Sequence, residues 1–167
     1  MLKKFLAAIM IALPALGFAQ AKFGVVNTQP IIEAMPEMKD ATTQLEAASK
    51  KYQDEYKNFT DEFNKKVAEV QELQNDASTP KLILERKMKD IQDLQTRIEE
   101  FRQTADRDLQ RQQEQLFAPI QQKVSEAITA VGKEGSFTFI FESMVPVYVG
   151  ADVTDVTDLV KGKLGVK

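Results

Sequence analysis

The sequence predicts an α+β chain, with a small β-containing body made from its two ends and a long antiparallel helical coiled-coil hairpin made from its middle. Three observations carry this reading. No glycine occurs between Gly24 and Gly132, and Pro80 is the only proline from Glu37 to Ala118, so a stretch rich in Glu, Gln, Lys, Ala and Leu runs without helix breakers. Apolar residues in that stretch recur at alternating steps of three and four, the mark of a coiled-coil seam. Strand-like runs sit only near the ends of the chain.

The chain opens on a leader. Lys3 and Lys4 precede an apolar run from Phe5 to Leu16, broken by Pro14, and the small-residue exit Gly17-Phe18-Ala19-Gln20-Ala21 follows. This is the pattern of a secretory signal peptide over residues 1–21, with cleavage after Ala19 or Ala21. The apolar run is shorter than the ~20 residues that a bilayer span needs, and no Cys follows it to take a lipid, so the mature chain is expected to be soluble and exported.

After the leader, Lys22-Phe23-Gly24-Val25-Val26-Asn27 reads as a short strand. Thr28-Gln29-Pro30 then suits a helix cap with Pro30 just inside, Ile31 and Ile32 give the short helix an apolar face, and Pro36 stops it. The first arm follows, with its seam at Met38, Ala41, Leu45, Ala48, Tyr52, Tyr56, Phe59, Phe63, Val67, Val70 and Leu73. A tip near 75–80 comes next, where Asn75 and Asp76 suit a helix end and Ser78 or Thr79 can cap a helix starting at Pro80. The second arm carries Leu84, Met88, Ile91, Leu94, Ile98, Phe101, Ala105 and Leu109, and beyond Ala105 its spacing drifts to longer steps. So short a connector between long helices implies an antiparallel hairpin.

Pro119 lies inside the second arm, where it removes one backbone hydrogen bond and pushes away the carbonyl of Gln115. It reads as a bend, either a hinge at which the helix leaves the arm or a plain local kink. Beyond it, Ser136-Phe137-Thr138-Phe139-Ile140-Phe141 and Val147-Tyr148-Val149 read as two strands, and Asp155-Val156-Thr157-Asp158 as the capped start of a last amphipathic helix. The domain division is thus a body from 22–36 and 119–167 and an arm from 37–118. Three short strands cannot hold a core alone. The body residues Phe23, Val25, Phe137, Phe139, Phe141, Val147 and Val149 are therefore expected to share a core with other copies of the chain.

Composition removes several function classes. Without the leader's two lysines the chain carries 20 basic against 25 acidic residues, a formal charge of −5, which offers nucleic acid no footprint. There is no Cys and no His, so thiol chemistry, disulfides, the commonest general base and the commonest metal ligand are all missing. Carboxylates such as Glu99, Glu100, Asp106 and Asp108 lie on a long helix, outside the kind of pocket that tunes acid–base groups. Ser49, Lys50 and Ser143 stand without a surrounding motif. Asp152, Asp155 and Asp158 lack the alternation of a calcium loop. The reading is a non-enzyme with no cofactor and no metal.

Taken in order, the leader, Lys22–Asn27, Ile31-Ile32-Glu33-Ala34-Met35-Pro36-Glu37, the helical hairpin, Leu116-Phe117-Ala118-Pro119-Ile120, the strand pair, and Asp155-Val156-Thr157 before a final helix resemble the Skp/OmpH family of periplasmic chaperones over the whole mature chain. The resemblance implies a homotrimer of jellyfish form, in which three hairpins project from a shared β body around a cavity. It also implies periplasmic location and ATP-independent holding of unfolded outer-membrane proteins. Family members are often basic, whereas this chain is acidic, which argues against strong attraction to anionic lipid or lipopolysaccharide.

Candidate client contacts are the bulky arm residues Tyr52, Tyr56, Phe59, Phe63, Met88 and Phe101, which either line the cavity or pack in the seam between the arms. The tip balances Lys81, Arg86, Lys87 and Lys89 against Asp76, Glu85 and Asp90, the mixture of a solvated helix face. The alternative function from a different class is a structural or adaptor coiled coil of the cell envelope, which would use the same seams without holding unfolded chains.

Overall fold

The computed structural model describes residues 21–166, so the leader expected over 1–21 lies outside the described residues as far as Gln20. These residues form β1 (Phe23–Val26), α1 (Thr28–Ala34), α2 (Pro36–Asn75), α3 (Lys81–Glu134), β2 (Phe139–Glu142), β3 (Thr154–Asp155) and α4 (Thr157–Leu164). The chain divides into two compact units, one made of residues 32–124 and the other of the segments before and after it. Among the described residues no helix is long and apolar enough to cross a membrane.

The first unit is the hairpin. At about 1.5 Å per residue, the 40 residues of α2 extend roughly 60 Å. Its first turn holds Pro36, where a missing N–H costs nothing, and Met35 makes the corner in extended conformation. Cross-helix pairs advance in opposite directions along the two helices, which establishes the antiparallel register. Glu37 accepts from Lys123 at 2.6 Å, Tyr52 donates to Asp108 at 2.6 Å, Phe59 meets Phe101 with ring centres 5.2 Å apart, and Glu69 accepts from Lys87 at 2.6 Å. Ala41, Val70, Leu94, Ala105, Ile120 and Val124 are buried.

The tip corrects the expected cap. The Asp76 carboxylate accepts from both the backbone N–H and the hydroxyl of Ser78, at 2.9 and 2.6 Å, so Ser78 is committed to the turn. Those bonds favour the charged form and hold Asp76 below the usual carboxylate range. The Pro80 carbonyl accepts from Ile83 and Leu84, which places Pro80 immediately ahead of α3 instead of at its first position. Further along, α3 continues through Pro119 as one helix.

In the second unit β1 lies between its two partners, and both pairings are parallel. Phe23 registers with Phe139 and Val25 with Phe141, so alternation puts these four side chains on one face of the sheet. The opposite face carries Gly24, Val26, Ile140 and Glu142. A Cβ on Gly24 would stand 3.2 Å from Ile140 and from the Phe137 ring, so a larger residue here requires those side chains to give by a few tenths of an ångström. The core of the unit is Val25, Val26, Ile31, Ala127, Val131, Val156 and Val160, and Ile31, Val156 and Val160 have no exposed surface. Burying each such aliphatic side chain contributes about 1.5–3 kcal/mol.

Caps here also differ from the sequence reading. The Asn27 side chain accepts from the Gln29 N–H, so Asn27 and not Thr28 caps α1, and Pro30 falls at the third residue of the helix. Asp155 holds the first turn of α4 by accepting from the Thr157 N–H and hydroxyl, at 2.9 and 2.6 Å, although Val156 stands between them. The larger correction concerns Val147-Tyr148-Val149, which is not a strand. The third strand is Thr154–Asp155, and Val156 continues its bonding by donating to Val25 at 2.8 Å. The reason is topological. Because β2 and β3 run the same way on either side of β1, the chain between them must travel back across the sheet, and residues 147–149 are part of that return path. Their β-branched and aromatic side chains report affinity for a half-buried surface, which is not the same as a backbone partner.

Candidate functional site

Two surfaces concentrate the residues singled out by the sequence, and each is complete within one unit. The hairpin brings Tyr52, Phe59 and Phe101 together. Phe101 is the centre of this group, with the Tyr52 ring 6.1 Å away and the Phe59 ring 5.2 Å away, both tilted against it. The Arg97 guanidinium lies 5.5 Å from the centre of the Phe59 ring, a cation–π arrangement that closes the group from outside. The Tyr52 hydroxyl donates to Asp108, and this bond, together with the nearby negative charge, raises the phenol above its ordinary value. Arg111 in turn donates to Asp108. These three aromatics are thus seam residues in contact with one another.

The other arm candidates stand apart from this group. Phe63 is half-buried, whereas Tyr56 and Met88 are exposed, although Tyr56 shares the heptad phase of Tyr52 and Phe59. Two helices can cover a seam only in part, so most of its apolar residues remain half-buried. Near the other end of the hairpin the side chains are smaller and the helices leave an open cleft of about 680 Å³, lined by Ile32, Met38, Phe117 and Ile120 together with Gln110, Gln113 and Glu114. A shallower cleft beside Pro119 is lined by Ala41, Leu116 and Ile120. Charged groups frame the whole unit, with Glu37 and Glu69 held below the usual carboxylate range by the ammonium groups of Lys123 and Lys87.

The second surface is the outer face of the sheet. Phe23 stacks on Phe139 with ring centres 6.3 Å apart and planes nearly parallel, and Phe139 stacks on Phe141 at 5.8 Å. All three rings are exposed, Phe139 by 58%. The return path between β2 and β3 passes over this face and forms with it an apolar groove of about 230 Å³, lined by Phe23, Val25 and Phe141 on one side and Val145, Tyr148 and Val149 on the other. Phe137 is not on this face. It lies against Gly24 and Gly135, with the Lys22 ammonium 4.1 Å from its ring centre and bonded to the Gly135 carbonyl at 2.9 Å.

Sequence reasoning missed Val145, Tyr148 and Val153 as groove residues, because a strand assignment for 147–149 hid the return path that places them. It also missed Asp108 as the partner of Tyr52, although Asp108 lies one residue before the seam position Leu109, close enough in phase to be found. Exposed Leu82 and Ile83 at the start of α3 were likewise unremarked. Among the described residues no group of three acidic side chains is arranged to hold a metal ion.

Residues 22–164 match the family model described as outer membrane protein (OmpH-like). No curated protein matches the chain. Among solved structures, one from Caulobacter crescentus CB15, described as a candidate outer membrane chaperone (OmpH-like), is similar with a TM-score of 0.71, covering 87% of this chain and 85% of its own. The two sequences are 11% identical, so this likeness speaks for the fold.

Proposed function

Because this chain belongs to the OmpH-like outer membrane protein family, we propose that it is an ATP-independent periplasmic holdase that keeps unfolded outer-membrane proteins from aggregating. The observation that carries the reading is the hairpin, a long two-helix seam whose apolar side chains stay half-covered within a charged frame. Such a surface offers many weak contacts and no single strong one, which suits a protein that must accept varied apolar segments and release them without nucleotide. No step in this role makes or breaks a covalent bond. The hairpin, 37–118, is the holding arm, and the exposed Tyr56 and Met88 are better placed for client contact than the mutually packed Tyr52, Phe59 and Phe101.

The remaining segments, 22–36 and 119–167, form the body through which three copies associate into a homotrimer. Support comes from the uncovered aromatic face of its sheet. Pro119 is the hinge that sets the angle of the arm. Pro119→Ala would restore a backbone donor and change the maximum dimension seen by small-angle scattering, with holding of large clients altered more than that of small ones. Identical scattering and client preference would reduce Pro119 to a local kink.

The function is tested by diluting an outer-membrane β-barrel protein from urea and following light scattering. The purified chain should suppress scattering at near-stoichiometric trimer and do so equally without ATP. Undiminished scattering at several-fold excess would leave the adaptor reading in its place.

A further inference from the structure

Glutamine crowds the end of the hairpin away from its tip. Six of the thirteen residues from Gln110 to Gln122 are glutamine, and only Arg111 and Glu114 among the rest carry charge. Glutamate and lysine form helix as readily and keep a surface at least as well solvated, so propensity and solubility do not account for the choice. What a carboxamide has and a charged group lacks is a donor and an acceptor together, the same pair that a peptide unit carries.

The open cleft of about 680 Å³ joins this chemistry to apolar surface. Gln110, Gln113 and Gln121, all exposed, line it together with the half-buried Met38 and Phe117 and the buried Ile120. Its one charged group, Glu114, already accepts from the Gln110 side chain at 3.2 Å, and no lysine or arginine lines it. Among the described residues Gln113 and Gln121 have no hydrogen-bond partner. Gln110, Glu114, Phe117 and Gln121 follow one another by steps of four, three and four, which keeps them on one stripe of α3. Over that stripe the helix rises about 16 Å, the length of about five residues of extended chain.

An extended segment offers what this stripe can use. Its edge presents N–H and C=O groups in alternation, and its side chains point by turns to two faces, so one edge can meet carboxamides while every second side chain turns to apolar surface. A folded ligand has already paired its main chain, and a charged ligand finds no free counter-charge here. We infer that this cleft binds the main chain of an extended, uncharged polypeptide segment, with Gln113 and Gln121 bonding its peptide groups and Met38, Phe117 and Ile120 receiving alternate side chains. This rests on the holdase reading and specifies one of its weak contacts as recognition of backbone, independent of sequence. Covering an unpaired edge also removes the template on which extended chains aggregate.

The probe is a short uncharged peptide alternating Ser and Val, set against its depsipeptide analogue, in which esters replace the amides so that the side chains stay and the N–H donors go. Binding to the full-length chain is followed by fluorescence anisotropy. The native chain should bind the peptide about tenfold more tightly than the depsipeptide, the effect of losing one or two net hydrogen bonds. Gln113→Leu together with Gln121→Leu, at exposed positions where circular dichroism should show the helices kept, should weaken peptide binding about tenfold and abolish the discrimination. Equal binding of both probes by the native chain, or peptide binding by the leucine variant as tight as native or tighter, would mark a plain apolar cleft and overturn the inference. Absence of peptide binding would overturn it as well. Light scattering with the same preparation reads the holdase separately. Suppression without discrimination leaves the holdase standing and removes the backbone site, whereas discrimination without suppression removes the holdase and keeps the site.

Discussion

In the hairpin the bulkiest side chains answer one another across two helices, Tyr52 and Phe59 on Phe101 and Arg97 on Phe59, whereas in the body Phe139, Val147 and Tyr148 meet solvent. Yet the body also contains the best-buried residues, Ile31, Val156 and Val160, with no exposure at all. The hairpin therefore spreads partial cover along its whole length, while the body divides its apolar residues between one sealed face and one open face. Partial cover everywhere is a surface for many weak contacts. An open face beside a sealed one leaves aromatic side chains in solvent that the chain itself does not cover.

The largest effect that would separate the two units comes from Ile31→Ala, which removes a side chain with no exposed surface and should cost about 2–5 kcal/mol. Urea unfolding followed by hydrogen exchange should show protection lost in β1 and α4 and kept through residues 52–101. Uniform loss in both units would mean that they unfold as one. Phe101→Ala is the converse. It deletes both ring contacts of the hairpin cluster but starts from a half-buried side chain, so about 2 kcal/mol is expected, below the 3–5 kcal/mol range for truncating a fully buried Phe. Exchange should rise around 52–63 and 94–108 and stay unchanged in the sheet.

The smallest effect is electrostatic and confined to the hairpin. Glu37 and Glu69 are carboxylates whose folded-state acidity is strengthened by Lys123 and Lys87, so their contribution is present above the ordinary value of 4.5 and is lost as pH falls through the lower folded-state values. These pairs are exposed, so salt should weaken them as well. A shallow decline in hairpin stability below pH about 4.5, removed by Glu37→Gln together with Glu69→Gln, is the expected profile by thermal melting. Tyr52 acts at the other end of the scale. Its raised pKa means that its bond to Asp108 is intact below 10.0 and is lost as pH rises through the folded-state value.

The hairpin was legible in the sequence because its information is local. Steps of three and four from Met38 to Leu73 and from Leu84 to Leu109, with breakers only near 75–80, point to two helices in an antiparallel hairpin without reference to anything distant. Even there, Tyr56 keeps the heptad phase and is exposed, since two helices cover a narrower stripe than the period allows for. The body was harder because its contacts are far apart in the chain. Phe23 and Phe139 share a sheet face across more than a hundred residues, and nothing near Val147 announces that Thr154 takes the second edge of β1. Composition identified which residues are apolar, and only topology could say which of them the chain itself would cover.

The division of labour between arm and body is tested most directly by removing residues 44–111, which takes away most of the hairpin and leaves the sheet, its groove and the return path intact. The shortened chain should still sediment as a trimer and should fail to suppress scattering of an outer-membrane protein diluted from urea, at concentrations where the full chain succeeds. A shortened chain that is folded and monomeric, or one that holds clients as well as the full chain, would contradict the account.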